Sequence, residues 1–474
     1  MRRSVLAPLL RRPIGLLLLA LPHASAQQPS APPPRAVLVA RLDSLARAFL
    51  TDAPATGATI AVVRGSDTLL LRGVGERDRE RHLPAGPATI YRIGSITKQF
   101  TSAAVMQLVE QGKVGLNDPV GRHLPQYPQW AGVTIRQLLN HTSGIHSYTA
   151  SAAWQKRWGE DLAPDALVAL VANDTMDFAP GTRYRYNNTG YVLLGMVLEK
   201  VTQRPYADYV RDILFSPLGM RSAAYCPSRP ENDAYAAGYD IRNGTLVPTT
   251  YLSMTHPYAA GALCMSVPDY LQWQAALTSG RVVQPASFAL MSTADTLIGG
   301  GRLNYGFGLV PGMLGAHRVI QHGGGVNGFS TQQMWFPDDS LRVVVFANTL
   351  GSSPERLAIN LASAVFGLPL NSRPKPAPEL PLAASDRAKY EGSFDLQRTP
   401  GDVLTLRVFV DGDGLAAQAG GSGQEKIPLR YLGADTFGAA FDPTMRLTIV
   451  LENGRATKAR LLQRGATIEG PRRP

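Results

Sequence analysis

Apolar positions divide the larger part of the chain into short elements of both kinds. Helical spacing predicts helices at 37–50, 100–110, 134–140, 191–201 and 354–366. Alternating or β-branched runs predict strands at 58–63, 68–73, 318–321, 330–336 and 341–348. The strands come from both ends of this region, and the helices between them form a block. The pattern predicts an α+β fold, in which helices flank an antiparallel sheet and a helical lobe is inserted.

A proline-rich stretch separates this region from the C-terminal part. Four prolines at 374–381 indicate a stiff linker, which we place at 369–386. Residues 387–474 then alternate apolar and polar positions, as at 404–410 and 446–451, with Asp-Gly and Asn-Gly pairs that favour tight hairpins. We expect a small all-β barrel here, because closure removes exposed sheet edges.

The first 26 residues have the pattern of an export signal. Four arginines accompany a short apolar core at 14–21, and a small-x-small cleavage site ends at Ala26. The apolar core is too short to span a bilayer, and no later stretch is long enough either. We expect cleavage after Ala26, a mobile leader at 27–35, a main domain at 36–368, and a soluble protein in the periplasm or outside the cell.

Composition argues against several classes of function. The formal net charge is +11, but lysines and arginines are scattered and no nucleic-acid recognition motif accompanies them. No Cys/His cluster has zinc spacing and the motif His-Glu-x-x-His is absent, so the sequence predicts no zinc site. The cysteines Cys226 and Cys264 belong to a chain bound for an oxidising compartment, where a disulfide between them is expected. Two buried thiols are the alternative.

The pair Ser95 and Lys98 is the strongest chemical signal. Side chains three residues apart share a face of a helix, and a break at Gly94 places Ser95 at the first turn of the helix that follows. Ser372 and Lys375 repeat the spacing in a segment too rich in proline to be helical. A serine nucleophile needs a base in contact. The nucleophile elbow Gly-x-Ser-x-Gly is absent, which argues against an α/β-hydrolase and favours a lysine-assisted serine.

Partners for this pair are found downstream. Tyr186 and Asn188 form the only Tyr-x-Asn motif, on a predicted loop. A tyrosine beside a lysine ammonium can have its pKa lowered enough to carry a proton. His322 precedes three glycines at a strand end, where a ligand can approach the backbone, so the N–H groups of Ser95 and Gly325 are candidate oxyanion donors. Each feature has a structural alternative: Ser95 as a helix cap, Tyr186 as a core residue and the glycines as a turn.

Together these residues resemble the serine β-lactamase and penicillin-binding-protein superfamily. The resemblance is greatest to its class C-like branch of β-lactamase-related serine hydrolases, with D-alanyl carboxypeptidases, D-aminopeptidases and esterases. It covers about residues 36–368 and includes the segments 138–145, 186–191, 305–308 and 324–329. The C-terminal part is similar to the lipocalin-like barrels that some members carry.

The resemblance implies acyl transfer through a covalent ester, with no cofactor. Ser95 would attack a carbonyl, and Lys98 and Tyr186 would move the proton. The amides of Ser95 and Gly325 would hold the oxyanion, and Asn188 would orient Lys98 and the substrate amide. The partner would be a small-molecule or peptide substrate, which the cell envelope could supply.

His322 departs from the pattern of β-lactamases, which have a lysine there to bind a substrate carboxylate. Histidine has an ordinary pKa near ~6.5 and is mostly uncharged at neutral pH. With His322 and Gly324 in the substrate site, D-amino-acid peptides, amides or small esters are the expected substrates. A true β-lactamase is one alternative, and a non-catalytic envelope-binding protein on the same scaffold is another.

Overall fold

The computed structural model describes residues 34–473, apart from 53, 230–231, 243, 372–376, 400–401, 420–425, 440–443 and 464–465. The export signal predicted at 1–26 lies outside the described residues, as does most of the leader. Within the described part of the chain, no helix combines the length and the apolar character needed to cross a bilayer.

An antiparallel sheet of seven described strands forms the centre of the main domain. Its strands are β1 (Gly57–Arg64), β2 (Asp67–Asp78), β3 (Leu83–Pro84), β4 (Val310–Leu314), β5 (His317–Val326), β6 (Phe329–Phe336) and β7 (Leu341–Ala347). The order across the sheet is β3-β2-β1-β7-β6-β5-β4. The two chain ends meet where β1 pairs with β7, with Ala58 opposite Ala347. The sheet predicted from strands of both chain ends is confirmed.

Helices cover both faces of this sheet. The longer ones are α1 (Arg35–Asp52), α2 (Thr97–Glu110), α3 (Asn188–Thr202), α4 (Val267–Thr278), α5 (Pro285–Ser292) and α6 (Pro354–Phe366). Because side chains alternate along a strand, β1 contributes to two cores. Ile60 packs with residues of α1 and α6, whereas Ala61 belongs to the larger core that contains α2 and α3.

Short elements complete the helical lobe. Single helical turns lie at Val120–His123, Pro128–Trp130, Ile135–Leu139, Tyr148–Ala150, Ala152–Gln155, Pro164–Ala169, Tyr206–Tyr209, Val210–Phe215, Ser216–Leu218 and Tyr258–Gly261. Small sheets are formed by Tyr91–Arg92, Ala224–Tyr225 and Leu263–Met265, and by Tyr239–Arg242, Thr245–Pro248 and Thr349–Leu350. The lobe therefore packs around α2, most of whose residues are buried.

The disulfide expected between Cys226 and Cys264 is not formed. Both side chains are buried thiols in one apolar cluster. Cys264 lies opposite Ala224, and the amide of Cys226 donates to the carbonyl of Ala262 at 2.7 Å. The cysteines are thus diagonal neighbours, for which Cα atoms are about 7–8 Å apart. A disulfide needs a shorter separation, below about 7 Å.

The C-terminal residues form a closed barrel of eight described strands. A helix at Ala384–Arg387 and a turn at Ala388–Tyr390 precede it. The strands are β8 (Gly392–Thr399), β9 (Asp402–Asp411), β10 (Gly414–Ala419), β11 (Ile427–Gly433), β12 (Thr436–Ala439), β13 (Arg446–Glu452), β14 (Arg455–Gln463) and β15 (Ala466–Pro471). Buried side chains such as Phe394, Phe437 and Leu447 fill an apolar core. The predicted barrel and the α+β fold class are confirmed.

Candidate active site

Ser95 lies in a single helical turn, Gly94–Ile96, that leads directly into α2. Gly94 has a φ of +52°, and a Cβ at this position would come within 2.8 Å of the Gly325 nitrogen. Only glycine combines this backbone conformation with so close an approach. Ser95 does not cap α2, because the N-cap is Ile96 and no side chain caps the helix. The turn instead presses Ser95 against the glycine run of β5.

Lys98 is completely buried beneath Ser95. Its Nζ lies 3.3 Å from Ser95 Oγ, 2.9 Å from Asn188 Oδ1 and 2.9 Å from the carbonyl oxygen of Ala260. The last two oxygens can only accept hydrogen bonds. A neutral amine has two N–H groups and one lone pair, so donation to these oxygens leaves the lone pair for the Ser95 hydroxyl.

Burial lowers the pKa of Lys98 well below its ordinary value. The hydrogen-bond partners described for this amine are neutral, so none of them offsets the cost of burying the charge. Lys98 Nζ also lies 4.7 Å from the centre of the Tyr186 ring and 5.3 Å from that of Tyr191. The arrangement supplies what a lysine general base requires, an uncharged amine within reach of the hydroxyl.

Tyr186 stands at the edge of the site, just before α3. It is 37% exposed, so it is not a core residue. Asn187 caps α3 by accepting a hydrogen bond from the Gly190 amide, and it also donates to the Ile145 carbonyl. Burial of the hydroxyl raises the pKa of Tyr186, while its hydrogen bond with Ser95 acts in the opposite direction. Because burial dominates, the pKa of Tyr186 is raised, whereas the sequence predicted that it would be lowered.

Asn188 links Lys98 to the helical lobe. Its Nδ2 donates to Thr149 Oγ1 at 3.1 Å, and its backbone amide donates to Ser147 Oγ at 3.2 Å. These two bonds fix the side-chain amide with Oδ1 toward Lys98. The geometry suits the orienting role predicted for Asn188. The Ala260 carbonyl, the other acceptor of Lys98, was not predicted because a backbone atom leaves no signal in the sequence.

The glycines after His322 continue strand β5 rather than forming a turn. A Cβ on Gly324 would lie 2.0 Å from the Ile93 carbonyl oxygen and 2.3 Å from Thr331 Oγ1. Gly324 therefore permits the strand and the turn to touch and is not among the described residues that line the cavity beside Ser95, so its role in substrate binding stays a prediction. Ser95 and Gly325 both line that cavity, whose volume is about 360 Å³.

His322 lies behind the site and is only 5% exposed. Its Nδ1 is 2.6 Å from the Gly323 carbonyl oxygen, which can only accept, so Nδ1 carries the proton. Nε2 then accepts from the Tyr305 hydroxyl at 2.8 Å. Burial lowers the pKa of His322 to about 4. Because both ring nitrogens are engaged inside the protein, the predicted substrate-binding role is not supported by this arrangement.

An aromatic cluster that the sequence did not reveal surrounds Tyr186. His141 is buried, and its ring centre lies 4.3 Å from that of Tyr186, 4.6 Å from that of Tyr305 and 5.2 Å from that of Tyr191. Its Nδ1 accepts from the Asn187 amide at 3.2 Å, and burial lowers its pKa well below the ordinary value. His141 and Tyr305 lie in segments that carry the family resemblance, but spacing alone does not bring them together.

The sequence profile of the family described as "Beta-lactamase" matches residues 42–366. This chain belongs to the Beta-lactamase family. The match covers the sheet, the helical lobe and the residues around Ser95. The chain is therefore a serine hydrolase of the β-lactamase-related kind, with an additional C-terminal barrel.

Similar proteins and solved structures agree with this family assignment. "Penicillin-binding protein 4*" of Bacillus subtilis is 26% identical over 85% of this chain and 94% of its own length. "D-aminopeptidase" of Brucella melitensis is 26% identical over 82% of this chain and 72% of its own length. Among solved structures, a D-stereospecific amidohydrolase from Streptomyces sp. is 29% identical, covers 71% of this chain and all of its own, and has a TM-score of 0.61.

Proposed function

We propose that this protein is an exported serine hydrolase that acts through a covalent acyl-enzyme on D-amino-acid peptides, D-amino-acid amides or small esters. The observation that carries the proposal is the completely buried Lys98 amine, which lies 3.3 Å from the Ser95 hydroxyl and has only neutral partners among its described hydrogen bonds. Activation of the Ser95 hydroxyl explains why an amine is buried at this position. Export rests on the sequence pattern of the first 26 residues.

Acylation begins when Lys98 Nζ takes the proton of Ser95 as Oγ bonds to the substrate carbonyl carbon. The carbonyl oxygen becomes an oxyanion, which accepts hydrogen bonds from the amides of Ser95 and Gly325. The bond to the leaving group then breaks. Lys98 returns the proton to that group through the Tyr186 hydroxyl, which stays protonated on average because burial raises its pKa. The product is an ester on Ser95.

Deacylation repeats these steps with water. Lys98, neutral again, receives a proton from water through Tyr186, and the hydroxide oxygen bonds to the ester carbonyl carbon. The same two amides hold the second oxyanion. When the ester bond breaks, Ser95 Oγ recovers its proton and the acid leaves. No charge has to be created or lost at Asn188, which only holds Lys98 in place.

Two observations support peptides, amides and esters over β-lactams. Relatives with recorded activities include a D-aminopeptidase and a D-stereospecific amidohydrolase. In addition, His322 is buried and uncharged at neutral pH, so it offers no cation for the carboxylate of a β-lactam. The true β-lactamase and the non-catalytic envelope-binding protein are the alternative outcomes of the test below.

The test is covalent labelling followed by intact-protein mass spectrometry. A fluorophosphonate should add one adduct to the wild type and none to Ser95→Ala. The matched control is Ser372→Ala, which removes the serine of the second Ser-x-x-Lys motif and should label fully. No adduct on the wild type would contradict the mechanism and favour a binding protein. Turnover of nitrocefin above that of esters and D-alanyl peptides would favour a β-lactamase.

Export is tested separately, by expressing the full chain in a Gram-negative host and fractionating the cells. The mature protein should appear in the periplasm or medium with Gln27 as its first residue, since cleavage is expected after Ala26. Retention of the uncleaved chain in the cytoplasm would contradict the proposed export but would leave the proposed acyl-enzyme chemistry unaffected.

A further inference from the structure

The cavity beside Ser95 has walls of a distinct chemical character. Most of its described lining is apolar or aromatic and includes Tyr148, Trp154, Val326 and Leu350. The remaining apolar lining is Leu252, Pro257, Ala260 and Gly261. Side-chain polarity comes from Thr149, Asn188 and Asn327, together with the hydroxyl of Ser95. The described lining contains no Lys, Arg, His, Asp or Glu.

Burial also disfavours the charged forms of two titratable groups close to this lining, Lys98 and His322. Lys98 lies beneath Ser95 with a strongly lowered pKa, and His322 has its pKa lowered to about 4. The single side-chain oxygen of Asn188, Oδ1, already accepts a hydrogen bond from Lys98. A substrate in this cavity therefore meets no full charge from the side chains that line it or lie immediately beneath Ser95.

The aromatic side of the cavity is held in place before any substrate arrives. The Tyr148 hydroxyl donates to the His256 carbonyl at 2.5 Å, and Trp154 Nε1 donates to His256 Nδ1 at 2.9 Å. His256 Nε2 is 2.7 Å from the Glu160 carbonyl oxygen, which assigns the proton to Nε2 and leaves Nδ1 as the acceptor. The rings of Tyr148 and Trp154 meet edge to face, with centres 5.6 Å apart.

We propose that this cavity selects electrically neutral acyl donors with a bulky apolar or aromatic group, such as N-acylated amino-acid esters and amides or aryl and alkyl esters. Substrates with a free ammonium or carboxylate next to the scissile carbonyl are discriminated against. The inference rests on the proposed function and narrows its substrate class. Among D-amino-acid derivatives, it selects those whose amino group is blocked.

The physical reason is the cost of removing a charge from water without a partner. An unpaired ion in apolar surroundings loses far more than a neutral group of equal size. The cavity is open enough to admit some water, so we expect a penalty of roughly 10-fold or more in kcat/KM rather than a complete block. The pinned aromatic wall favours an aromatic group, because rings at fixed positions need no ordering when the substrate binds.

The experiment compares matched substrates on the full-length protein. N-acetyl-D-phenylalanine methyl ester and D-phenylalanine methyl ester differ by an acetyl group, which replaces the ammonium present at pH 6 with a neutral amide. Phenyl butyrate and phenyl hemisuccinate differ chiefly in a terminal carboxylate. The neutral member of each pair should have the higher kcat/KM by roughly 10-fold or more.

A charge placed on the wall should reverse one preference. Leu350 lines the cavity and is 36% exposed, so a polar residue there costs little stability. Leu350→Glu should raise kcat/KM for D-phenylalanine methyl ester relative to the N-acetyl ester, compared with Leu350→Gln, which has the same size without the charge. Leu350→Lys should shift the second pair toward the hemisuccinate.

Three outcomes separate the inference from the proposed function. If Ser95 is labelled by a fluorophosphonate but charged and neutral substrates react equally well, the selection is wrong and the hydrolase stands. If Leu350→Glu and Leu350→Gln show the same preference, the wall does not set the charge selectivity, and the inference is overturned. If Ser95 cannot be labelled at all, the proposed function itself fails.

Discussion

At the residue scale, the site depends on Lys98 being buried without a counter-ion. An ordinary lysine is protonated at neutral pH and cannot accept a proton. Here two neutral oxygens, of Asn188 and Ala260, receive the N–H groups, and burial disfavours the ammonium. Because burial favours the neutral amine, the fold does not have to bury an unpaired positive charge. The neutral amine also has a lone pair, which can accept the proton of the Ser95 hydroxyl.

The first prediction concerns the pH dependence of acylation. Because the neutral amine is the active form, the acylation rate of Ser95 should rise as pH rises through the lowered pKa of Lys98. It should level off well below pH ~10, where an ordinary lysine still titrates. Stopped-flow measurements with a p-nitrophenyl ester give the profile. A limb that follows an ordinary lysine pKa would contradict the role of burial.

The second prediction replaces Lys98 with a residue whose side chain carries a permanent positive charge. Lys98→Arg should lower the acylation rate by about 10²–10⁴-fold, the usual contribution of a general base, because a guanidinium stays protonated. Lys113→Arg is the matched control, since Lys113 is exposed at the end of α2. Equal rates for the two variants would remove Lys98 from the mechanism.

The third prediction concerns His322 and stability in acid. The folded-state pKa is about 4, below the ordinary value near 6.5. As pH falls below 6.5, the unfolded state takes up the proton first, so the free energy of unfolding falls between about pH 6.5 and 4, with a slope of up to about 1.4 kcal/mol per pH unit.

His322→Gln cannot titrate, and the decrease should be smaller in this variant. Urea unfolding at pH 7, 5.5 and 4.5 measures the difference. His82→Gln is the control, because the His82 side chain is 83% exposed. A wild-type slope that is unchanged in His322→Gln would mean that His322 is not held neutral in the fold.

At the element scale, the serine turn and strand β5 form one packed unit. Gly94 approaches Gly325, Gly324 approaches the Ile93 carbonyl, and Thr331 Oγ1 donates to the same carbonyl at 2.9 Å. A strand from one end of the domain thereby fixes a turn from the other end. The position of the nucleophile relative to the expected oxyanion donors is a property of this contact rather than of either segment alone.

The fourth prediction follows from the unequal space at two neighbouring glycines. Gly324→Ala should destabilise the protein by about 3 kcal/mol or more, because its Cβ would overlap the Ile93 carbonyl and only backbone movement relieves that. It should also slow acylation of Ser95. Gly325→Ala is the control for stability: its Cβ would meet nothing closer than Leu350 Cδ1 at 3.8 Å. Equal melting temperatures for both variants would contradict the packing argument.

The sequence predicts these elements better than it predicts their contacts. The helix at 354–366 and the strand at 341–348 follow from local periodicity, and the structure has them at Pro354–Phe366 and Leu341–Ala347. The strand predicted at 318–321 is shorter than the observed strand β5. The glycines that follow look like a turn in the sequence, but in the structure they continue the strand and allow it to pack closely. That packing is long-range and leaves no local periodic signal.

The same distinction applies to the site. Ser95, Lys98, Tyr186 and Asn188 are found from motifs, since the chemistry needs those residue types in order. The burial that determines the protonation of Lys98 and His322 depends on segments far away in the chain, and the sequence does not report it. Gly324 and His322 illustrate this: residues after a strand suggest a ligand site, whereas in the structure both pack internally, and their substrate-binding roles stay predictions.

At the scale of the whole molecule, the barrel has its own apolar core. The described buried members of its core cluster all lie between Tyr390 and Leu461, and none of them belongs to the catalytic domain. The three described clusters of the main domain contain none of them. Because each core excludes its own apolar surface from water, we expect the barrel to behave as a separate unit of stability.

The fifth prediction tests that independence. Leu447 is completely buried in the barrel, and Leu447→Ala should destabilise the barrel by about 3 kcal/mol. Calorimetry should show one transition lowered, and fluorophosphonate labelling of Ser95 at 25 °C should be unchanged. Leu462→Ala is the control, since Leu462 is 36% exposed. Loss of labelling in parallel with barrel unfolding would show that the two parts are coupled.

The lining of the cavity also affects how this enzyme could change over evolutionary time. Trp154, Leu252, Val326 and Leu350 come from separate segments, and Leu350 is partly exposed. Substitutions of these side chains alter what the cavity accepts, and Trp154, Leu252 and Leu350 lie on segments apart from the buried amine and from the glycine contact of β5, which Val326 follows directly. Gene duplication followed by drift in the lining could therefore yield descendants with new substrates and an unchanged acylation chemistry. A library confined to these four positions should be rich in active enzymes with altered preference.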